Sequence, residues 1–134
     1  MGRVVGVTDG DTIKVLCGRT EMKVRLAQID APERGQAFGA KAKEALSDLV
    51  FDREVRLDLG EKDRYGRAIA TVWRGSLDIN REMVRLGFAW AYRKYLEDPS
   101  LLDDEAAAKA ANRGLWRDVD PVAPWDYRRR GRSR

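Results

Sequence analysis

Three β-prone runs separated by short turn-forming pairs fill the N-terminal quarter of the chain, and their spacing limits the possible fold more than any other feature. Val4, Val5 and Val7 lead into Thr8-Asp9-Gly10-Asp11. Thr12, Ile13, Val15 and Leu16 follow and stop at Gly18-Arg19, and a third run over 21–29 sets Met22, Val24 and Leu26 against Lys23 and Arg25. Period-two alternation joined by turns this short predicts an antiparallel meander. The Asp-Gly pair predicts a hairpin turn with positive φ at the glycine. Pro32, in Asp30-Ala31-Pro32, removes a ladder donor and ends the third strand.

Beyond the proline the period changes. Phe38, Ala42, Ala45, Leu46, Leu49 and Val50 recur at helical spacing and predict a helix over 37–50. Two further strands are expected at 53–59, where Val55, Leu57 and Leu59 alternate, and at 68–73, joined by a charged loop at 60–67. A meander, a helix and then two strands is the order of an OB-fold, so the predicted class is α+β, mainly β: a five-stranded OB-fold barrel with about three helices. The second helix is expected to start with Asn80 as N-cap and to end at Gly87. The third begins at Asp98-Pro99-Ser100, takes Asp103, Asp104 and Glu105 into its first turns, and closes at Arg113-Gly114. Residues 1–116 are expected to form the domain, and 117–134 a surface strap followed by a disordered basic tail.

Composition excludes whole classes of chemistry. The chain has no histidine and one cysteine, Cys17, so zinc held by Cys and His, disulfides, Cys-x-x-Cys redox chemistry and Ser-His-Asp triads are absent. Any metal must be held by oxygen. No apolar run approaches the roughly 18 residues of a membrane span, and no charged-then-apolar leader is visible, so a soluble chain is expected. The formal charge of +4 is concentrated at the end of the chain: residues 128–134 hold five arginines and no acid. Without them 21 basic face 22 acidic residues, so distribution matters more than net charge. The segment 53–96 is basic and 97–127 acidic, the latter explained by the helix-start acids.

Asp9-Gly10-Asp11-Thr12, Asp30-Ala31-Pro32-Glu33 and Asp63-Arg64-Tyr65-Gly66-Arg67 each read, alone, as ordinary turns. Their joint placement at strand ends of one barrel is the informative feature, because it presents Asp11, Asp30 and Glu33 beside Arg25 and Arg67. Carboxylates with carbonyls and water suit Ca²⁺ or Mg²⁺, and arginines so near a cation require a shared anion. A phosphodiester supplies it: an arginine fork holds two phosphate oxygens, and a carboxylate can orient or deprotonate an attacking water.

These residues resemble the staphylococcal nuclease (thermonuclease) family over about 3–116. The resemblance rests on Asp-Gly-Asp-Thr, on Val24-Arg25-Leu26 through Ile29-Asp30-Ala31-Pro32-Glu33, on Asp63-Arg64-Tyr65-Gly66-Arg67, and on Asn80 followed by Val84-Arg85-Leu86-Gly87-Phe88-Ala89. It implies a Ca²⁺-dependent nuclease that hydrolyses the 5′ phosphorus–oxygen bond of DNA and RNA and leaves 3′-phosphate ends. By position it implies Asp11, Asp30 and the backbone carbonyl of Ala31 as metal ligands, Glu33 as general base, Arg25 and Arg67 on the scissile phosphate, and Arg64 and Tyr65 on a neighbouring one. Asp9 is implied as a supporting group, and Tyr95 as a substrate-binding aromatic. The expected substrates are single-stranded DNA, RNA and frayed duplex, bound by a monomer. Many relatives are secreted or periplasmic.

The chain departs from the family pattern at three places. Alanine stands at position 31 where the type enzyme has threonine, only four residues separate Glu33 from Phe38, and Arg93 falls where a tyrosine is expected, leaving Tyr92 a near neighbour. The alternative function is a non-catalytic OB module that binds nucleic acid or protein. Degenerate copies of that kind lose the acids or arginines, whereas Asp11, Arg25, Asp30, Glu33 and Arg67 are all present. Trp73, Trp90 and Trp116 are expected in the core, Trp125 and Tyr127 to pack, Cys17 to be a small buried group, and the arginine tail either to add salt-sensitive affinity for polyanions or to remain solvated.

Overall fold

The alternating runs form the expected strands. In a computed structural model, which describes residues 1–132, β1 (Gly2–Asp9), β2 (Thr12–Cys17) and β3 (Thr20–Leu26) make an antiparallel meander with Val4 opposite Val15 and Ile13 opposite Val24. Those residues are fully buried, while the charged neighbours Arg3 and Lys23 face outward. The third strand is shorter than expected. It stops at Leu26, Gln28 takes φ 67°, and the chain resumes as β4 (Ile29–Asp30) in a different pairing, with β8 (Trp90–Ala91).

α1 (Gly39–Val50) starts two residues later than the apolar spacing suggests, because Phe38 adopts φ 67° and turns the chain into it. Its buried face, Ala42, Leu46 and Val50, packs into the barrel interior with Ile13, Val24, Leu26 and Val72. β5 (Glu54–Lys62) and β6 (Ala68–Arg74) form the second hairpin. β6 also runs parallel to β3, with Val24 opposite Ala68 and Leu26 opposite Ala70. That pairing closes β1, β2, β3, β6 and β5 into a five-stranded mixed barrel, so the OB-fold class holds. The outer half of β5 leaves the barrel: Val55 is buried, Leu57 half-buried and Leu59 exposed, with a register shift between Leu59 and Lys62.

The short β7 (Leu77–Asp78) precedes α2 (Ile79–Arg85). Asp78, not Asn80, caps this helix, accepting from the Arg81 N–H at 3.0 Å. Asn80 is buried and ties β6 to the end of β3: it accepts from Val72 N–H at 3.0 Å and donates to the carbonyls of Ala27 and Ala70, each at 3.0 Å. Gly87 ends the turn as expected, with φ 82°. α3 (Ser100–Ala110) contains a buried acid, Glu105, which accepts from Ala91 N–H at 2.7 Å and pairs with Arg93 at 2.5 Å. Arg93 therefore has a structural partner where the family pattern has a tyrosine.

The C-terminal segment corrects the expectation of a strap and disorder. After a 3₁₀ turn at Gly114–Arg117, residues 124–132 form a fourth helix, α4 (Pro124–Arg132); the last two residues of the predicted tail lie outside the described residues. Trp125 on this helix stacks on Tyr92 (centroids 5.5 Å, planes 3° apart) and meets Trp90 edge-on at 5.5 Å. Trp90 also contacts Trp116 at 4.6 Å, so these tryptophans pack as expected. Trp73 does not reach the core. It lies half-buried outside the barrel, under Arg56 at 5.4 Å and donating to Asp58 at 2.9 Å. Cys17 is likewise only half-buried, at the edge of the core.

Candidate active site

Each acid reaches the site because a strand ends there. Asp11 lies in the two-residue loop between β1 and β2, closed by the Asp9–Thr12 pair. Gly10 does not take the positive φ expected of an Asp-Gly turn. It is there for space: a Cβ would stand 2.7 Å from the Cβ atoms of both Ala31 and Ala42. The loop thus presses on Ala31, whose N–H donates to Asp11 Oδ2 at 2.8 Å, and Asp11 Oδ1 accepts from the Thr12 hydroxyl at 3.1 Å.

Arg25 organises the centre. Its Nη1 donates to the carbonyls of Leu26 at 2.8 Å and Ile29 at 2.9 Å, which uses the kink between β3 and β4 to fix the guanidinium. Its Nη2 then lies 3.4 Å from Asp11 Oδ2 and 3.3 Å from Asp30 Oδ1. Asp30 is fully buried and Asp11 nearly so. Asp11 and Asp30 are buried side by side with Asp9 close to Asp11, and the protonation equilibria reflect burial and mutual repulsion. Burial, then repulsion from Asp11, pushes Asp9 up to about 7. Burial pushes Asp30 up to about 6 despite its arginine partners. For Asp11 the penalty of burial is outweighed by the Arg25 guanidinium and by hydrogen bonds from Asp9, Ala31 N–H and Thr12, so its carboxyl is held below the usual range.

Glu33 sits one turn beyond, between Pro32 and the start of α1, with its N–H donated to Gln36 Oε1 at 2.9 Å. Gly39 makes this approach possible, since a Cβ there would lie 2.1 Å from the Glu33 carbonyl oxygen. The carboxylate is partnered by Arg128 of α4. The same guanidinium also grips Asp30, Nη1 to Oδ1 at 3.0 Å and Nη2 to Oδ2 at 2.6 Å, and donates to the Tyr92 hydroxyl at 3.2 Å. Arg128 is the site residue that sequence reasoning missed, having been assigned to the tail. The available signal was Trp125 three residues earlier, which places both side chains on one face of a helix.

Arg67 comes from the hairpin loop rather than from the carboxylate cluster. Asp63 Oδ1 accepts from Tyr65 N–H and Arg67 N–H, each at 2.9 Å, and Asp63 Oδ2 holds Arg67 Nε at 2.6 Å. Arg67 immediately precedes β6, whose Ala68 and Ile69 face Val24 and Arg25 of β3. The Tyr65 ring is exposed and lies under Arg64 at 5.1 Å and Arg67 at 5.6 Å. Tyr95 is also exposed and meets Tyr92 edge-on at 5.1 Å. The structure thus joins Asp11, Arg25, Asp30, Ala31 and Glu33 in one cluster, ties Arg67 to Asp63 in the β5–β6 loop, and leaves Arg64, Tyr65 and Tyr95 at the surface.

Among the described residues no three of His, Cys, Asp and Glu form a cage for a cation by themselves. Asp11 and Asp30 offer only oxygen, a donor set that suits a hard cation completing its shell with carbonyl oxygen and water.

A family model described as staphylococcal nuclease homologue matches residues 23–118. An uncharacterized endonuclease of Haemophilus influenzae is 50% identical over 128 residues, covering 95% of this chain and 72% of that protein. A micrococcal nuclease of Shigella flexneri is 43% identical over 143 residues, 98% of this chain and 82% of that one. An uncharacterized endonuclease of Escherichia coli is 42% identical over 130 residues, 96% and 85% of the two chains. With the barrel, the spaced motifs and these likenesses in agreement, the chain belongs to the staphylococcal nuclease family and is, by class, a nuclease.

Proposed function

We propose that this nuclease depends on Ca²⁺, cuts DNA and RNA with little sequence preference, and breaks the 5′ phosphorus–oxygen bond to leave 3′-phosphate ends. The observation that carries the reading is the convergence of Asp11 and Asp30 on Arg25, with Glu33 one turn away. Asp11, Asp30 and the Ala31 carbonyl are the ligands assigned to the cation. When bound, the cation neutralises a phosphate oxygen and makes water easier to deprotonate.

The remaining work falls to the chain. Glu33 accepts the proton of the attacking water on a carboxylate oxygen. Arg25 is fixed by two backbone carbonyls through Nη1, and its Nη2, which faces Asp11 and Asp30, is the donor assigned to a phosphate oxygen as charge builds up on it. Arg67 is assigned to the same phosphate, with its Nε held by Asp63 and its two Nη groups serving as the fork. Arg64 and Tyr65 meet the neighbouring phosphate, and the exposed Tyr95 borders the strand. An OB barrel face accepts a single strand far more easily than an intact duplex, which favours single-stranded DNA, RNA and frayed ends. Every group named comes from one chain, so a monomer suffices.

The test is degradation of heat-denatured DNA in millimolar-range Ca²⁺ against the same mixture in EGTA, with Glu33→Gln alongside. Loss of substrate only with Ca²⁺ and only in the unmutated protein is the expected result. DNA that survives in Ca²⁺ but is retarded on a gel would replace this reading with that of a binding module.

A further inference from the structure

The C-terminal helix brings a cation of its own into the site. Arg128 spans both oxygens of Asp30 and reaches Glu33. A divalent cation bound to an Asp30 oxygen at about 2.4 Å would compete for the lone pairs that receive these hydrogen bonds. The two positive charges cannot share that position, and the guanidinium occupies the Glu33 oxygen that an attacking water would have to face.

Arg128 is held there by construction. Trp125, one turn earlier on the same helix, is stacked on Tyr92 and wedged against Trp90. The Gln36 side chain, which also fixes the Glu33 backbone, donates to the Val122 carbonyl at 2.7 Å and so ties the approach to α4 to the loop that carries Glu33. The helix is therefore docked on the rim of the site, while the Arg128 side chain, about one-third exposed, has room to swing outward.

We propose that Arg128 is an intramolecular latch that competes with the divalent cation for Asp30 and Glu33, so that loading the site requires the guanidinium to leave. The inference rests on the assignment of Asp11 and Asp30 as cation ligands. Competition of this kind reduces apparent affinity by the fraction of molecules that are unlatched, and a contact made nine-tenths of the time costs about tenfold.

The experiment is calorimetric titration of CaCl₂ into the full chain, without nucleic acid, for the unmutated protein, Arg128→Ala, Arg128→Gln and Asp30→Asn. Arg128→Ala should bind Ca²⁺ at least about tenfold more tightly, with Arg128→Gln, which keeps the bulk but not the charge, following it. Asp30→Asn should lose binding over the same concentrations. Trp125→Ala, which undocks the helix and leaves every carboxylate in place, should also tighten Ca²⁺ binding, and it decides the matter if both Arg128 variants fail to fold. Equal or weaker Ca²⁺ binding in the folded variants, with binding still lost in Asp30→Asn, overturns the latch and leaves the ligand assignment standing. Binding that is unchanged in Asp30→Asn, or absent from every protein, overturns the ligand assignment and the latch with it.

Discussion

At the scale of single residues, the site is a problem in charge. Asp9, Asp11, Asp30 and Glu33 lie around two guanidinia, and burial removes most of the water that would otherwise screen them. Glu33→Gln keeps the shape and removes the base. Turnover should fall by about 10²–10⁴-fold while strand binding changes little, as compared by single-turnover kinetics and filter binding; equal losses in both would count against the role. Arg25→Lys and Arg67→Lys test the forks, since a lysine ammonium cannot replace two fixed donors, and each should lose at least about tenfold in kcat. Full activity in either would remove that arginine from the phosphate site. Most of these side chains were legible because they sit in local turns whose residue types are unusual in combination, and Arg25 because it lies in the strand that leads directly into one. The Arg128–Asp30 pair was not, because its partners are 98 residues apart and no local pattern links them.

At the scale of elements, small and buried polar residues set where the acids stand. Gly39→Ala would force a methyl group against the Glu33 carbonyl, and a shift of about 1 Å in a reacting group can cost on the order of a hundredfold. The expected signature is a fall in kcat with Ca²⁺ affinity unchanged, read by calorimetry beside the assay. Asn80→Ala would strand the Val72 N–H and the Ala27 carbonyl where β3, β6 and α2 meet, while the Ala70 carbonyl keeps the Ala27 N–H. That should cost about 2–4 kcal/mol, seen as a lower urea midpoint at constant m. Asn80 also shows why helix boundaries were only partly legible: Asp78 and Asn80 are both good caps by type, and burial against Val72 and Ala70, which sequence does not display, chose between them. Gly10 carries the same lesson, since Asp-Gly suggests a φ preference while the packed structure uses the glycine to admit Ala31 and Ala42.

At the scale of the whole molecule, closure of the barrel gathers the acids, and their ionisation opposes folding in the absence of a cation. Asp9 and Asp30 bind protons more tightly folded than unfolded, with values near 7 and 6 against 3.8. Their protonated forms therefore favour the folded state at low pH, and that contribution is lost as pH rises through those values. In chelator, the urea midpoint should fall as pH is raised from 5 to 8; a rising midpoint would mean that both groups stay ionised throughout. The local chemistry of the chain determined the order of the five barrel strands and the first three helices, the family, and the proposal of Asp11, Arg25, Asp30, Glu33 and Arg67 as site residues, because alternation, turn residues and short motifs act over a few positions. Only the tertiary structure decided that β6 would pair in parallel with β3, that Arg93 would answer Glu105, and that the last helix would return Arg128 to Asp30. Those are contacts between distant segments, selected by burial and by charge meeting charge in the folded protein.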